Sequence, residues 1–451
     1  MRLRVVSPFL VFAVIACGCS KASDTCSGPC SPPPGQMMSG PDASAPDAGA
    51  ADLAMGPQDA AMSGPADLRP CCDLANPAGP WPTADVTLYG AAQGLSGTIL
   101  DSSADDAQNI WAASADTLYV LRPGQTMFQK FTAADGLHIQ PFTDPDGNPA
   151  VTNITAVAGG HANEAFVGYY GYESDNRLTD TVANEKLGQA DKITLNANGT
   201  IAVLRYEFRC DHGQDWCWEN RSVRRMLFAH QGVAAGHLFI GFDHGVSHVF
   251  NDHFGDHIHC ETWYHYPDGH TTEKIGEQYG LALFPNGDLL EGSAYCVGRQ
   301  MWSPDPPTWV DNGFTWAFTT YDPSHSLDVA ADYREDQRGA AITPDGVTWF
   351  ASITHGLASW DPKTGNFGTI KQWSAPGLPS SGLMDMVADL DGTLWIVTID
   401  GQLLRFNPAT SAVTVQSGLG DVRRVVLDGT VTPRALYVSL GGGGLAVIRA
   451  K

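Results

Sequence analysis

The chain has 451 residues, 43% of them hydrophobic, and carries 49 acidic against 26 basic side chains for a formal charge of −23. Residues 86–451 hold 41 of the acids and 22 of the bases. This excess argues against an electrostatic hold on nucleic acid or on an anionic lipid surface, and favours cations or basic partners.

At the N-terminus, Arg2 and Arg4 precede an apolar run from Val5 to Ala16. Twelve residues are too few for a bilayer span, which takes about 20, but they suit the apolar part of an export signal. The run ends in "VIAC", which resembles the lipobox of bacterial lipoproteins. That resemblance implies a signal peptide over 1–16 and lipidation of Cys17. With Gly18 next, it also implies an exported, lipid-anchored protein of the outer membrane or cell surface, held to the membrane by the lipid alone.

Residues 17–82 collapse into Ala, Asp, Gly, Pro, Met and Ser, with no aromatic side chain before Trp81. Such a segment buries too little apolar surface to offset chain entropy and is expected to be a disordered tether. A flexible chain of about 60 residues spans on the order of 40 Å. The chain has ten cysteines, which in an exported protein suggests oxidised pairs. Cys210 and Cys217 bracket "DHGQDW" and suit a short closed loop. Cys260 and Cys296 remain as a second bridge, or as a thiol and a ligand. Sequence does not choose among the three pairings.

From residue 83 onward a unit recurs: a turn with Gly, Asp or Asn, an apolar strand, a Gly-containing turn, and a second strand. The instances are "NIWAASADTLYVL" (109–121), "EAFVGYYG" (164–171), "HLFIGFDHGVSHV" (237–249), "GDLLEGSAYCVGRQMW" (287–302), "VTWFASITHGLASW" (347–360), "TLWIVTIDGQLLRF" (393–406) and "ALYVSLGGGGLAVI" (435–448). Each carries one large residue at the same place: Trp111, Phe166, Phe239, Leu290, Trp349, Trp395 and Tyr437. Four short strands per unit, with almost no helical periodicity, predict an all-β, seven-bladed β-propeller over 83–451. The last unit ends one outer strand short, so the N-terminal strand at 85–90 is expected to complete it and close the ring.

The pattern "GL…D.DGTLWI.T.DGQL.RFNP.T", clearest over 339–449 and 94–137, resembles propeller repeats of bacterial two-component regulators and the lyase that opens virginiamycin-type antibiotics. The resemblance implies architecture first, because propellers carry many functions.

Several residues are candidates for chemistry. His244 and His355 each precede Gly in the turn between a second and a third strand, at the end of a propeller where ligands are conventionally bound. The insertion 171–191, with Glu173, and the loop 210–217 are expected at the same end. His244 or His355 would serve as general base, and acids such as Glu173 or Asp243 would hold a divalent cation. "NDHFGDHIHCETWYHY" (251–266) is expected to place 251–259 in a connection and 261–266 in an outer strand. His257 and His259, with His253 or Asp252, would then form a zinc-type ligand set. A solvated loop with neutral histidines accounts for the same residues. Zinc, calcium or magnesium is the only cofactor suggested. The "DPDGNP" turn (144–149) departs from a calcium loop at Pro149.

Two functions emerge. One is a surface-tethered, non-catalytic binding or scaffold module that holds a protein or glycan on the insertion-bearing rim. The alternative is a metal-dependent lyase or hydrolase with its site on the axial rim.

Overall fold

The computed structural model describes residues 85–143, 148–171, 188–206, 222–242, 245–258, 262–265, 271–274, 277–293, 297–300, 337–361 and 371–450. Among them are 31 strands and two short 3-10 turns, Ala91–Gln93 and Ala133–Asp135.

The strands form a β-propeller. The first sheet is Asp101–Ala104, Ile110–Ala113, Leu118–Leu121 and Gln129–Phe131, each antiparallel to the next. The second runs through Ile154–Gly159, Glu164–Tyr169, Ala190–Leu195 and Ile201–Tyr206. The third runs through Val223–Phe228, His237–Phe242, Val246–Phe250 and His253–Ile258. The fifth and sixth begin with Gln337–Ile342 and Leu383–Ala388. The last is Val422–Asp428, Ala435–Leu440 and Gly444–Arg449, with Val86–Tyr89 pairing antiparallel to Gly444–Arg449 as a fourth strand.

The first strands of successive sheets pack against one another, and Val422–Asp428 packs in turn on Asp101–Ala104. Second and third strands are covered on both faces by neighbouring sheets, so they read as unbroken apolar runs rather than as alternation. All of Leu394–Thr398, Thr348–Ser352 and Ala435–Leu440 is buried. The seven large residues of the repeat all fall in second strands and are at most 4% exposed.

The apolar clusters lie between sheets. Trp111, Val120 and Phe131 pack on Ile154, Val167 and Ile193, and Trp395, Val397 and Leu403 pack on Val425, Leu436 and Val438. Each such side chain contributes about 1.5–3 kcal/mol by leaving water. Sheets approach closely only where a hydrogen replaces a side chain. A Cβ on Gly159 would lie 2.0 Å from the Ala104 carbonyl oxygen, and one on Gly241 would lie 2.4 Å from that of Gln278.

The structure corrects two expectations. Six sheets have four strands, not seven. The fourth, Gln278–Leu283, Leu289–Ser293 and Val297–Gln300, has three among the described residues, and residues 301–336 lie outside them. The third sheet's outer strand is His253–Ile258, not 261–266. Asn251 and Asp252 both adopt positive φ (49° and 63°), the two-residue hairpin geometry that turns a chain back at once. Thr262–His265 pairs instead with Thr271–Lys274 as a separate ribbon.

Candidate functional site

Turns joining first to second and third to fourth strands share one end of the ring. Turns joining second to third strands, and the links between sheets, share the other. The axis between these ends is closed partway by four charged side chains. Asp101, Arg225, Asp385 and Arg424 occupy the same position on the first strands of the first, third, sixth and last sheets.

Arg225 Nη1 donates to both oxygens of Asp385 at 3.0 Å, and Arg424 Nη1 donates to Asp101 Oδ2 at 2.9 Å. Each aspartate also accepts backbone N–H groups. Asp385 takes those of Met386 and Val425 (2.9 and 3.0 Å); Asp101 takes those of Ser102 and Val157 (2.9 and 3.0 Å). Each carboxylate therefore ties its own strand to the next sheet and to an arginine. Arg225 and Asp385 belong to sheets three places apart, so their pair crosses the axis. Arg424 Nη2 crosses it too, donating to the Arg224 carbonyl at 3.2 Å. Burial works against the charge of Arg424, but Asp101 and Asp385 outweigh it and raise its pKa. Four paired charges with their remaining lone pairs satisfied are tolerable in an interior. Removing one partner costs about 3–5 kcal/mol.

On one side of this plug the axis opens into a cup of about 370 Å³, within the range of ligand sites. Asp101 and Arg225 form its floor. Leu227, Leu283, Ile342, Val387 and Leu427, all half-buried, contribute to its apolar wall, and His230, Gln231 and Thr430 stand at its mouth. The mouth lies at the end of the first-to-second-strand turns. There Asp106 bridges two imidazoles, His230 Nδ1 at 2.8 Å and His161 Nδ1 at 3.2 Å. Both rings meet Phe228 edge-on (5.0 and 5.1 Å). Each imidazole uses a different Asp106 oxygen, and among the described residues no three His, Cys, Asp or Glu groups converge as a metal site.

The opposite end holds a second cluster. Asp191, fully buried, accepts from Tyr169 Oη at 2.6 Å and Arg205 Nη1 at 3.3 Å, and meets His138 Nδ1 at 2.8 Å. Burial, and then the adjacent Asp191 charge, push the Tyr169 phenol well above its ordinary pKa. The His138 side chain is 39% exposed, so a buried carboxylate holds an imidazole at the surface. Neither the plug nor this cluster was among the sequence candidates.

His355 lies in the turn between Thr348–Ser352 and Gly356–Trp360, with Nδ1 at 2.7 Å from Thr354 Oγ1. It stands at the end opposite the cup, where the segment carrying Glu173 also joins a second to a third strand. The cup is thus not at the end expected to bind. Asp252, expected as a metal ligand, is instead bonded to Lys192 Nζ (3.0 and 3.3 Å) and Tyr206 Oη (2.5 Å) on the second sheet. His253 and His257 lie in the outer strand opposite Phe250 and Ser247, in a ladder and not in a connection. Glu173, Asp243, His244, His259, Cys17, Cys210, Cys217, Cys260 and Cys296 lie outside the described residues.

No family model matches the chain, and no curated protein matches it. Similar solved structures include YCF48 bound to D1 peptide (13% identity, 82% of this chain and 100% of that one, TM-score 0.47). Others are the mitotic checkpoint complex (12%, 82% and 93%, TM-score 0.49) and the WD40 β-propeller domain of Doa1 (10%, 81% and 97%, TM-score 0.46). The fold assignment rests on the chain's own sheets.

Proposed function

We propose that the chain is an exported lipoprotein whose propeller, carried on the 17–82 tether from a lipidated Cys17, binds a ligand without transforming it. The observation that carries this reading is the floor of the cup. The floor carboxylate, Asp101, and Asp385 behind it in the plug each already accept an arginine and two backbone N–H groups. A general base needs a lone pair within reach of a substrate proton, and this floor offers a fixed field in its place. The walls supply apolar area.

In this reading the three-stranded sheet is a seventh blade, and Val86–Tyr89 closes the ring. The cyclic packing of the first strands and the Val86–Tyr89 ladder support this. A protein or glycan partner would meet the opposite end, where the long connections around 172–187 and 207–221 join.

Anchoring is tested by feeding cells a labelled fatty acid. The parent chain should carry label in the membrane fraction and Cys17→Ser should not; label retained by Cys17→Ser would sink the anchor. Binding without turnover is tested by equilibrium dialysis followed by mass analysis of the recovered ligand, which should be unchanged.

A second reading has one observation in its favour. His138, held through Nδ1 by buried Asp191, has the form of a general base oriented by a carboxylate, placed where His355 and His244 were expected to act. If turnover of any ligand is found and His138→Gln abolishes it while Arg225→Lys does not, the enzymatic reading replaces the first.

A further inference from the structure

We propose that the axial cup selects a small apolar molecule carrying one carboxylate, with that carboxylate seated on Arg225. The inference rests on the binding reading above and names its ligand class.

Arg225 is 8% exposed and lines the cup. Its bonds to Asp385 are both made through Nη1. Nε–H and the Nη2 hydrogens have no acceptor among the described residues. Nε–H and the outer Nη2–H are the parallel pair of a guanidinium that matches the two oxygens of a carboxylate, and such bidentate bonds are among the stronger ones proteins make. The second arginine of the plug offers no equivalent fork, because Arg424 directs one Nη at Asp101 and the other at the Arg224 carbonyl.

Charge sets the valence of the ligand. The four plug residues sum to zero, so a monoanion leaves the plug one unit negative and a dianion leaves it two units negative against buried charges. A single fork therefore suits a carboxylate over a phosphate dianion. Shape sets the rest. Above Arg225 the half-buried wall is Leu227, Leu283, Ile342, Val387 and Leu427, which offers apolar contact to a chain or ring and no further cation. At the mouth, Asp106 and Asp428 are already bonded, to His161 and His230 and to Thr430 and Gln108 respectively.

The test is calorimetric titration of the full chain with butanoate, hexanoate and octanoate, and with hexanamide as the neutral match to hexanoate. Affinity should rise with chain length until the cup is full, and hexanamide should bind at least tenfold more weakly than hexanoate. Arg225→Lys keeps a positive charge beside Asp385 but loses the fork, and should weaken hexanoate at least tenfold with an unchanged urea midpoint. Should that variant fold poorly, Ala282→Phe narrows the wall away from the floor, and should cost octanoate far more affinity than butanoate.

Equal binding of hexanamide and hexanoate, or full affinity in Arg225→Lys, would overturn the carboxylate assignment while leaving a binding module in place. So would the absence of binding by every member of the series at millimolar concentration. Recovery of a chemically altered acid would do the reverse, sinking the non-catalytic reading while the carboxylate assignment stands.

Discussion

The two ends of the ring differ in how they are built. At the cup end, short Asp- and Gly-bearing turns such as Asp389–Thr393 join the strands, and side-chain hydrogen bonds fix them: Asp391 Oδ1 accepts the Thr393 N–H and hydroxyl. At the other end some connections are long, such as those around 172–187 and 207–221, and the order beside them comes from one buried carboxylate, Asp191, that gathers His138, Tyr169 and Arg205. Long loops direct attention to the second end, since loops so often carry function. Yet the cup lies at the first, where the inner strands leave the axis open above a plug of paired charges. Loop length marks where a fold has been elaborated. Cavities depend on what fills the axis.

The plug is the feature whose loss should matter most. Asp385→Ala leaves Arg225 buried without its partner and the Val425 N–H without its acceptor. Unfolding in urea should show a loss of about 3–5 kcal/mol. A loss under about 1 kcal/mol would mean that the sheets, and not the charges, hold the axis.

Acid should weaken the cup end next. His237, at the start of the third sheet's second strand, stacks on Phe250 at 4.0 Å and meets buried His248 through Nδ1···Nε2 at 2.6 Å. Burial lowers the pKa of His237 to about 4 and that of His248 well below its ordinary value. Both groups are therefore neutral in the fold at pH values where the unfolded chain, near 6.5, already takes up protons. Stability is complete above pH 6.5 and falls as pH drops towards 4, by about 1.4 kcal/mol per pH unit for each group. His237 alone would cost about 3 kcal/mol by pH 4. The urea midpoint should drop steeply between pH 6.5 and 4.5 in the parent and much less in a His237→Gln, His248→Gln double variant. An equal drop in both would assign acid sensitivity elsewhere.

The sequence disclosed the sheets more fully than the sites. The large residue of each repeat, from Trp111 to Tyr437, marks a second strand because a strand covered on both faces must be apolar throughout. The plug was visible only as charges inside apolar strands, as in "SVRRMLF" and "GLMDMVA". Such charges must be paired, but nothing in spacing says that residue 225 pairs with residue 385 across an axis. The Asp191 cluster was hidden for a related reason. Strand register places Asp191 opposite Arg205, and no motif links residues 138, 169, 191 and 205. The histidine-rich stretch was misplaced by one hairpin, because Asn251 and Asp252 take positive φ in a two-residue turn where a longer connection was expected.

The smallest effects should separate the two candidate bases at the loop-bearing end. Asp191→Asn removes the charge that Arg205, 15% exposed, and His138 share. A charged hydrogen bond of this kind is worth about 1.5–3 kcal/mol, so a loss in that range is expected in urea. His355→Ala removes a turn imidazole that meets the neighbouring Thr354 hydroxyl, and a surface change of this sort should stay within about 0.5 kcal/mol. The pair of measurements bears on function as well as stability. If Asp191→Asn destabilises and leaves ligand binding in the cup unchanged, the two ends act independently and the cluster supports its own loops. If it weakens binding in the cup, the ends are coupled through the second sheet, whose first strand contributes Val157, Ala158 and Gly159 to the cup wall. His355→Ala, set in the same loop-bearing end but away from that strand, should leave binding untouched in either case. A binding loss there would return the ligand to the end where the sequence first suggested it.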